Sequence, residues 1–120
     1  MNRTLTVLVL FLIAIVCSCA PLTYNTHRAI IAVTGDAQMQ AYLATITVRF
    51  VAGAPYCGGH FPDEQILGCY HAGGEIDVST IQWDRTPPWR TEDEILRTLA
   101  HEYIHAMQYK TTGFMWHPVW

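Results

Sequence analysis

The sequence predicts a single small α+β domain in which a small sheet supports one long helix. The segment from Glu92 to Thr112 has helical periodicity and a start signal, whereas Ala44 to Val51 alternates polar and apolar side chains. About 100 residues remain after a predicted leader is removed, which suits one compact core and is too short for two.

One helix and one strand are predicted in the first half of this domain. Asp36 follows Gly35 and is a favourable N-cap, so we expect a helix over Asp36 to Leu43. Arg28 to Val33 is compatible with the same helical region or with a short strand. Ala44 to Val51 has the period of two that is typical of a strand with one buried face.

The long helix has signals at both ends. Thr91 and Glu94 have the spacing of a capping box, Lys110 lies in the last turn, and Gly113 offers a stop. On a helical wheel one arc is apolar, and its members are Ile95, Leu96, Leu99, Ala100, Tyr103, Ala106 and Met107. We therefore expect Tyr103 to serve in the core rather than in catalysis.

His101, Glu102 and His105 form the pattern HExxH, a signature of zinc hydrolases. Positions i and i+4 lie one helical turn apart, so both imidazoles can reach one Zn²⁺ ion. Zinc lowers the pKa of a water molecule at its open position to roughly 7, and Glu102 is placed to accept the proton as general base. Both histidines lie nearly opposite the apolar arc; the alternative is a solvated surface pair.

A catalytic zinc site usually has three protein ligands, so a third must be found. No Asp or Glu follows His105. After Gly113 ends the helix, a short turn would bring His117 back over the metal, and we predict His117 as the third ligand. The weaker candidates lie upstream, and they are His60, His71, Glu75 and Asp77.

The chain resembles the small zincin metallopeptidases. The similarity covers Gly68-Cys69-Tyr70, the segment from Gly74 to Ser79, and Leu99 to Gln108 around the HExxH motif. His117 followed by Trp120 is faintly similar to the SprT-like subgroup. The resemblance implies a strand before the active-site helix, here Glu75 to Ile81, whose edge aligns an extended peptide substrate.

These features predict a zinc-dependent peptidase that acts on a peptide or protein substrate as a monomer. The alternative is a noncatalytic envelope module with a structural or vestigial zinc site. A zinc hydrolase acting on a nonpeptide amide would use the same metal chemistry.

The amino terminus predicts export. Arg3 precedes an apolar run from Leu5 to Val16, which is short for a membrane span and suits a signal peptide over residues 1–18. Val16-Cys17-Ser18-Cys19 resembles a bacterial lipobox, in which Cys19 is lipidated and anchors the protein to the cell envelope. Residues 19–26 would then be a linker and 27–120 the metallopeptidase domain. Cleavage near Ala20, giving a soluble secreted or periplasmic protein, and an uncleaved signal anchor are the alternatives.

The charge of the chain argues against nucleic acid as a partner. Its formal net charge is −3, and removal of residues 1–18, whose single charged side chain is Arg3, makes it −4. A polyanion would be repelled by such a domain.

Cys57 and Cys69 remain after the leader is removed, and in an exported protein they are expected to form a disulfide. The alternative is a structural zinc site made of Cys57, His60, Cys69 and His71.

Overall fold

Three helices and a three-stranded sheet make up the computed structural model, which describes residues 23–55 and 66–113. This confirms the predicted α+β class. In chain order the elements are α1 (Thr26–Val33), α2 (Ala37–Ala44), β1 (Thr47–Val51), β2 (Gly68–His71), β3 (Glu75–Ser79) and α3 (Glu92–Thr112).

The first two helices are separate and each has its own cap. The Asn25 side chain accepts a hydrogen bond from the Arg28 N–H at 3.4 Å, and Asp36 accepts one from the Met39 N–H at 2.9 Å. Thr34 is extended and ends α1, so the segment from Arg28 to Val33 is a helix and not a strand. The predicted N-cap Asp36 is confirmed.

The predicted linker over residues 19–26 is wrong at its carboxyl end. Tyr24 packs against the core, and its ring lies 4.6 Å from that of Phe50 between centroids. Helix α1 already begins at Thr26. Packing of the Tyr24 ring explains why residues 23–26 belong to the folded domain although their composition is that of a connection.

Strand β1 begins three residues later than predicted. Ala44 ends α2, and the Thr45 N–H bonds back to the Tyr42 carbonyl at 3.0 Å, so this part of the segment continues the helix. Within β1 the alternation is as expected: Arg49 is exposed and Phe50 is partly buried.

The sheet has the order β1-β3-β2, with β1 parallel and β2 antiparallel to β3. Strand β2 has no counterpart in the prediction. It is joined to β3 by a turn in which Gly74 has a φ of 89° and donates its N–H to the His71 carbonyl at 2.9 Å. The expectation that β3 offers a free edge is wrong, because β3 is the central strand. Beyond Ser79, Ile81 forms only an isolated bridge with Trp89.

Helix α3 has the predicted bounds and caps. Thr91 and Glu94 form the capping box, and Gly113 ends the helix in the left-handed region with a φ of 72°. The predicted apolar arc packs in the core, where Ile95 and Leu99 are fully buried and Ala100 and Met107 are partly buried. Tyr103 is 1% exposed, which confirms its role in packing.

Two arginines fasten the start of α3. Arg85 forms an ion pair with Glu94 at 2.6 Å. Arg90 donates to the Ser79 carbonyl at 2.7 Å and to the Glu94 carbonyl at 3.0 Å, so it joins the end of β3 to the first turns of the helix. Within the described ranges, no helix is long and apolar enough to cross a membrane.

The Glu94 cap predicts a defined pH dependence of stability. Arg85, and then the Thr91 backbone, hold the pKa of Glu94 down at about 2, against an ordinary value of 4.5. Because the folded-state pKa is depressed, this stabilisation is present above pH 4.5 and is lost as the pH falls toward 2. Glu94→Gln should therefore unfold at a lower temperature than the wild type at neutral pH, and the difference should shrink through this window.

Thermal unfolding followed by circular dichroism from pH 7 to pH 2 measures this effect. Arg85→Gln should produce the same trend, because it removes the main cause of the depressed pKa. A difference between wild type and Glu94→Gln that is constant across this range would contradict the assignment.

Candidate metal centre

The two histidines of the HExxH motif converge on one point. His101 and His105 lie one turn apart on α3, and their Nε2 atoms are 3.0 Å apart. Their rings meet edge to face, with centroids 4.7 Å apart and an interplanar angle of 82°. Both imidazoles thus present the same nitrogen to a common position.

The surroundings of this pair differ from those of a solvated surface pair. His105 is 6% exposed and His101 is partly buried. Strand β2 packs against α3 as well as against β3, so the helix is covered on the side of the motif in addition to its core side. The alternative of two independent surface histidines therefore does not fit His105.

The histidine pair suits a zinc ion. Two nitrogens that bind one zinc ion at about 2.0–2.1 Å and a tetrahedral angle lie about 3.4 Å apart. The two Nε2 atoms would therefore have to move apart by only a few tenths of an ångström to bind zinc. On the far side of the ring, His105 Nδ1 lies 3.2 Å from Gln108 Oε1. An amide oxygen there favours a proton on Nδ1 and leaves Nε2 as the metal-binding nitrogen.

A third ligand is not found in residues 23–55 and 66–113, where no group of three or more His, Cys, Asp or Glu side chains is arranged to hold a metal. Upstream candidates in these ranges belong to another cluster: Arg49 binds Asp77 at 2.7 Å and Glu75 at 2.9 Å, and His71 Nε2 lies 3.6 Å from Asp77. The structure therefore does not bring His71, Glu75 and Asp77 to the histidine pair. His60 and the predicted ligand His117 lie outside the described residues.

Glu102 is buried beside the histidines. Its side chain is covered where β2 crosses α3, and burial raises the pKa of Glu102 to about 7. The backbone N–H of Tyr70 faces the carboxyl group and partly opposes this rise in the pKa. A carboxyl group that is held in this way can both accept and donate a proton near neutral pH.

The close approach of β2 depends on a glycine. A Cβ atom at Gly68 would lie 2.6 Å from Thr98 Cγ2 and 3.1 Å from both Cγ and Oε1 of Glu102. The absence of a side chain at residue 68 lets the strand backbone reach the carboxyl group.

The register of β2 explains why the backbone N–H of Tyr70 points toward Glu102. The Ser79 N–H donates to the Leu67 carbonyl at 2.8 Å, so alternate residues from Leu67 onward pair with β3. In an antiparallel ladder the intervening residues turn their backbone groups the other way. Gly68 and Tyr70 are such residues, and the Tyr70 N–H thereby reaches the carboxyl group.

Sequence reasoning missed β2 and its contact with Glu102. The signal was present, because Gly73-Gly74 separates Cys69-Tyr70-His71 from the apolar-alternating β3, and a two-glycine step between such runs is typical of a hairpin.

A cleft of about 380 Å³ opens beside the motif. It runs between the start of β2 and the exposed side of α3, and its lining residues are Leu67, Gly68, Arg97, Thr98, His101 and Glu102. His101 and the candidate base Glu102 therefore both line a space that a ligand can enter.

Stabilisation of an oxyanion would need a further hydrogen-bond donor, and the side chains of Tyr70, His71 and Tyr109 have other partners. The Tyr70 ring is buried, and burial together with a hydrogen bond to Tyr42 raises its pKa to about 12. Tyr109 lies against Tyr70 with ring centroids 6.2 Å apart, and His71 lies beside Asp77. None of the three is assigned to the site.

Cys19 and Cys57 lie outside the described residues, and Cys69 is a partly buried residue of β2. The Cys57–Cys69 disulfide, its zinc-site alternative and the lipidation of Cys19 stay predictions.

Comparison with known proteins finds no match: no family model fits the chain, and neither a curated protein nor a solved structure is significantly similar to it. The function of the centre is therefore inferred from its chemistry and geometry.

The contact at Gly68 predicts a selective loss of stability. Gly68→Ala places a methyl group against Thr98 and Glu102, so these two side chains or the strand must shift, at a cost of about 1–3 kcal/mol in the free energy of unfolding. Gly73→Ala is the matched control, because its Cβ would meet nothing within 4 Å, and it should change the free energy by less than about 0.5 kcal/mol. Urea denaturation of both variants measures the difference; equal effects would contradict the close approach.

Proposed function

We propose that the protein is a zinc-dependent peptidase of the zincin type. The observation that carries the proposal is the convergence of His101 and His105 Nε2 atoms at 3.0 Å beside the buried carboxyl group of Glu102, at the wall of an open cleft. This combination supplies metal-binding nitrogens, a proton acceptor and access for substrate in one place.

In this proposal His101 and His105 hold the zinc ion, and His117 is the third ligand. Zinc, when bound, polarises the scissile carbonyl group and makes water acidic enough to attack near neutral pH. Glu102 accepts the proton of the attacking water and then delivers it to the leaving amine. The Tyr70 N–H orients the Glu102 carboxyl group for both transfers.

Strand β2 is the proposed substrate-aligning edge, in place of β3. It is the outer strand of the described sheet on the side of α3, and its start lines the cleft. A peptide laid along this edge in an extended conformation would pass Glu102 and His101. This arrangement supports the proposal of a zincin-type peptidase, since the edge strand and the HExxH helix flank one cleft.

The proposed site of action is the cell envelope. The apolar run from Leu5 to Val16 and the lipobox-like Cys19 support export and a lipid anchor, with a soluble exported protein as the alternative. In either case the substrates would be peptides or proteins outside the cytoplasm.

A noncatalytic envelope module is the second candidate. It is favoured by the finding that the ranges 23–55 and 66–113 supply only two metal-binding histidines at the centre. If further protein ligands closed the coordination sphere, no position would remain for water, and zinc would be structural.

Glu102→Gln separates these two candidates. The amide has nearly the same shape and can still accept the Tyr70 N–H, so the variant should fold and retain zinc. It cannot accept a proton, and peptide turnover should fall by a factor of about a hundred or more. Zinc content by elemental analysis and hydrolysis of a mixed fluorogenic peptide library measure the two effects.

Glu92→Gln is the matched control for that experiment, because it makes the same chemical change in the exposed first turn of α3. It should keep both zinc and activity. A Glu102→Gln protein as active as the wild type would contradict the mechanism, and a wild type that binds zinc without hydrolysing any peptide would favour the noncatalytic module.

A further inference from the structure

Arg97 occupies one end of the cleft that the proposed function uses. It lies on α3 four residues before His101, which is about 6 Å along the helix axis at 1.5 Å per residue. Its side chain is exposed and lines the cleft together with Gly68 and Thr98. A positive charge thus stands one helical turn from the metal-binding imidazole.

The charge of Arg97 is not used by the fold that the structure describes. In residues 23–55 and 66–113 the other arginines have oxygen partners: Arg28 with Asp93, Arg49 with Asp77, Arg85 with Glu94, and Arg90 with Ser79. Arg97 has neither a hydrogen bond nor an ion pair within those ranges. Asp93, one turn earlier on the same helix, is bound to Arg28 at 3.2 Å.

The direction of β2 relates Arg97 to a bound peptide. Gly68, at the start of β2, lies against Thr98 and Glu102, whereas Tyr70 reaches Tyr109, which is further along the helix. The strand therefore runs in the same sense as α3, and Arg97 is on the side of the strand's start. A strand advances about 3.3 Å per residue, so 6 Å corresponds to about two substrate residues.

We propose that Arg97 is a specificity-determining residue that binds a carboxylate of the substrate, about two residues from the scissile bond on the side of the start of β2. This inference rests on the proposed peptidase function. A planar guanidinium group with no competing partner matches a carboxylate with two parallel hydrogen bonds. The carboxylate belongs either to an Asp or Glu side chain or to the carboxyl terminus of a short peptide.

The surrounding charge strengthens the selectivity that one arginine can provide. The whole chain has a net charge of −3, so acidic peptides are not attracted to its surface in general. Gly68 on the facing strand and the small Thr98 beside Arg97 leave space for a side chain next to the guanidinium. Acidic peptides should therefore gain binding affinity at Arg97 and little affinity from the rest of the surface.

The test compares pairs of peptides that differ only by Glu or Gln at each position from three residues before to three after the scissile bond. At one or two adjacent positions the wild type should cleave the Glu peptide with about tenfold higher kcat/KM, the low end for a hydrogen bond to a charged group. Arg97→Gln should abolish this preference, and Arg97→Glu should favour a Lys peptide instead.

Lys110→Gln is the matched control, because it removes a positive charge from an exposed site on the same helix outside this cleft. It should keep the wild-type preference for Glu. Short peptides with a free or an amidated carboxyl terminus separate the two sources of the carboxylate: loss of the Arg97-dependent preference on amidation identifies the terminus. A wild type without preference, or a preference that survives in Arg97→Gln, would overturn the inference.

Binding measured without turnover separates failure of this inference from failure of the proposed function. Fluorescence anisotropy with labelled Glu and Gln peptides on the Glu102→Gln protein, with and without Arg97→Gln, reports recognition alone. Selective binding that depends on Arg97 without any cleavage by the wild type would overturn the peptidase and uphold Arg97 as the recognition residue. Cleavage by the wild type together with equal binding of all peptides would uphold the peptidase and overturn the role of Arg97 in recognition.

Discussion

The approach of β2 to α3 at Gly68 is the constraint on which the candidate centre depends. Because this residue has no side chain, the strand backbone lies against Thr98 and Glu102. The same contact buries the Glu102 carboxyl group, brings the Tyr70 N–H to it, and forms one wall of the cleft. A wider separation would leave Glu102 solvated and without its backbone partner, and the motif would be an ordinary stretch of exposed helix.

Helix α3 serves both the core and the site because different sides of it face different neighbours. Ile95 and Leu99 lie in the core, whereas His101 and Glu102 lie toward β2 and the cleft. The helix is held at its start through its capping box and through the contacts of the nearby arginines with Glu94 and Ser79. Rigid placement of the helix fixes the geometry of the side chains on it, which is the condition for a preorganised site.

Local signals predicted helices well and the sheet less well. The bounds of α3 follow from Thr91, Glu94 and Gly113, since caps act on neighbouring backbone groups and are readable in sequence. The two-glycine step before β3 signals the hairpin with β2, but the contact of this four-residue strand with α3 is a matter of tertiary packing, which no local pattern encodes. For the same reason the sequence predicts a free edge on β3, whereas in the structure β3 is central and β2 forms the edge. The burial of Glu102 depends on this packing and could not be predicted from HExxH alone.

The central claim is that His101, Glu102 and His105 form a zinc site with a position open to substrate. X-ray absorption spectroscopy of the zinc-loaded protein, before and after addition of a small hydroxamate, tests it most directly. We predict imidazole nitrogens at about 2.0–2.1 Å, one fewer in His117→Ala, and a spectrum that changes when the hydroxamate occupies the open position. A protein that retains no zinc, or a four-ligand sphere that the hydroxamate leaves unaltered, would contradict the account.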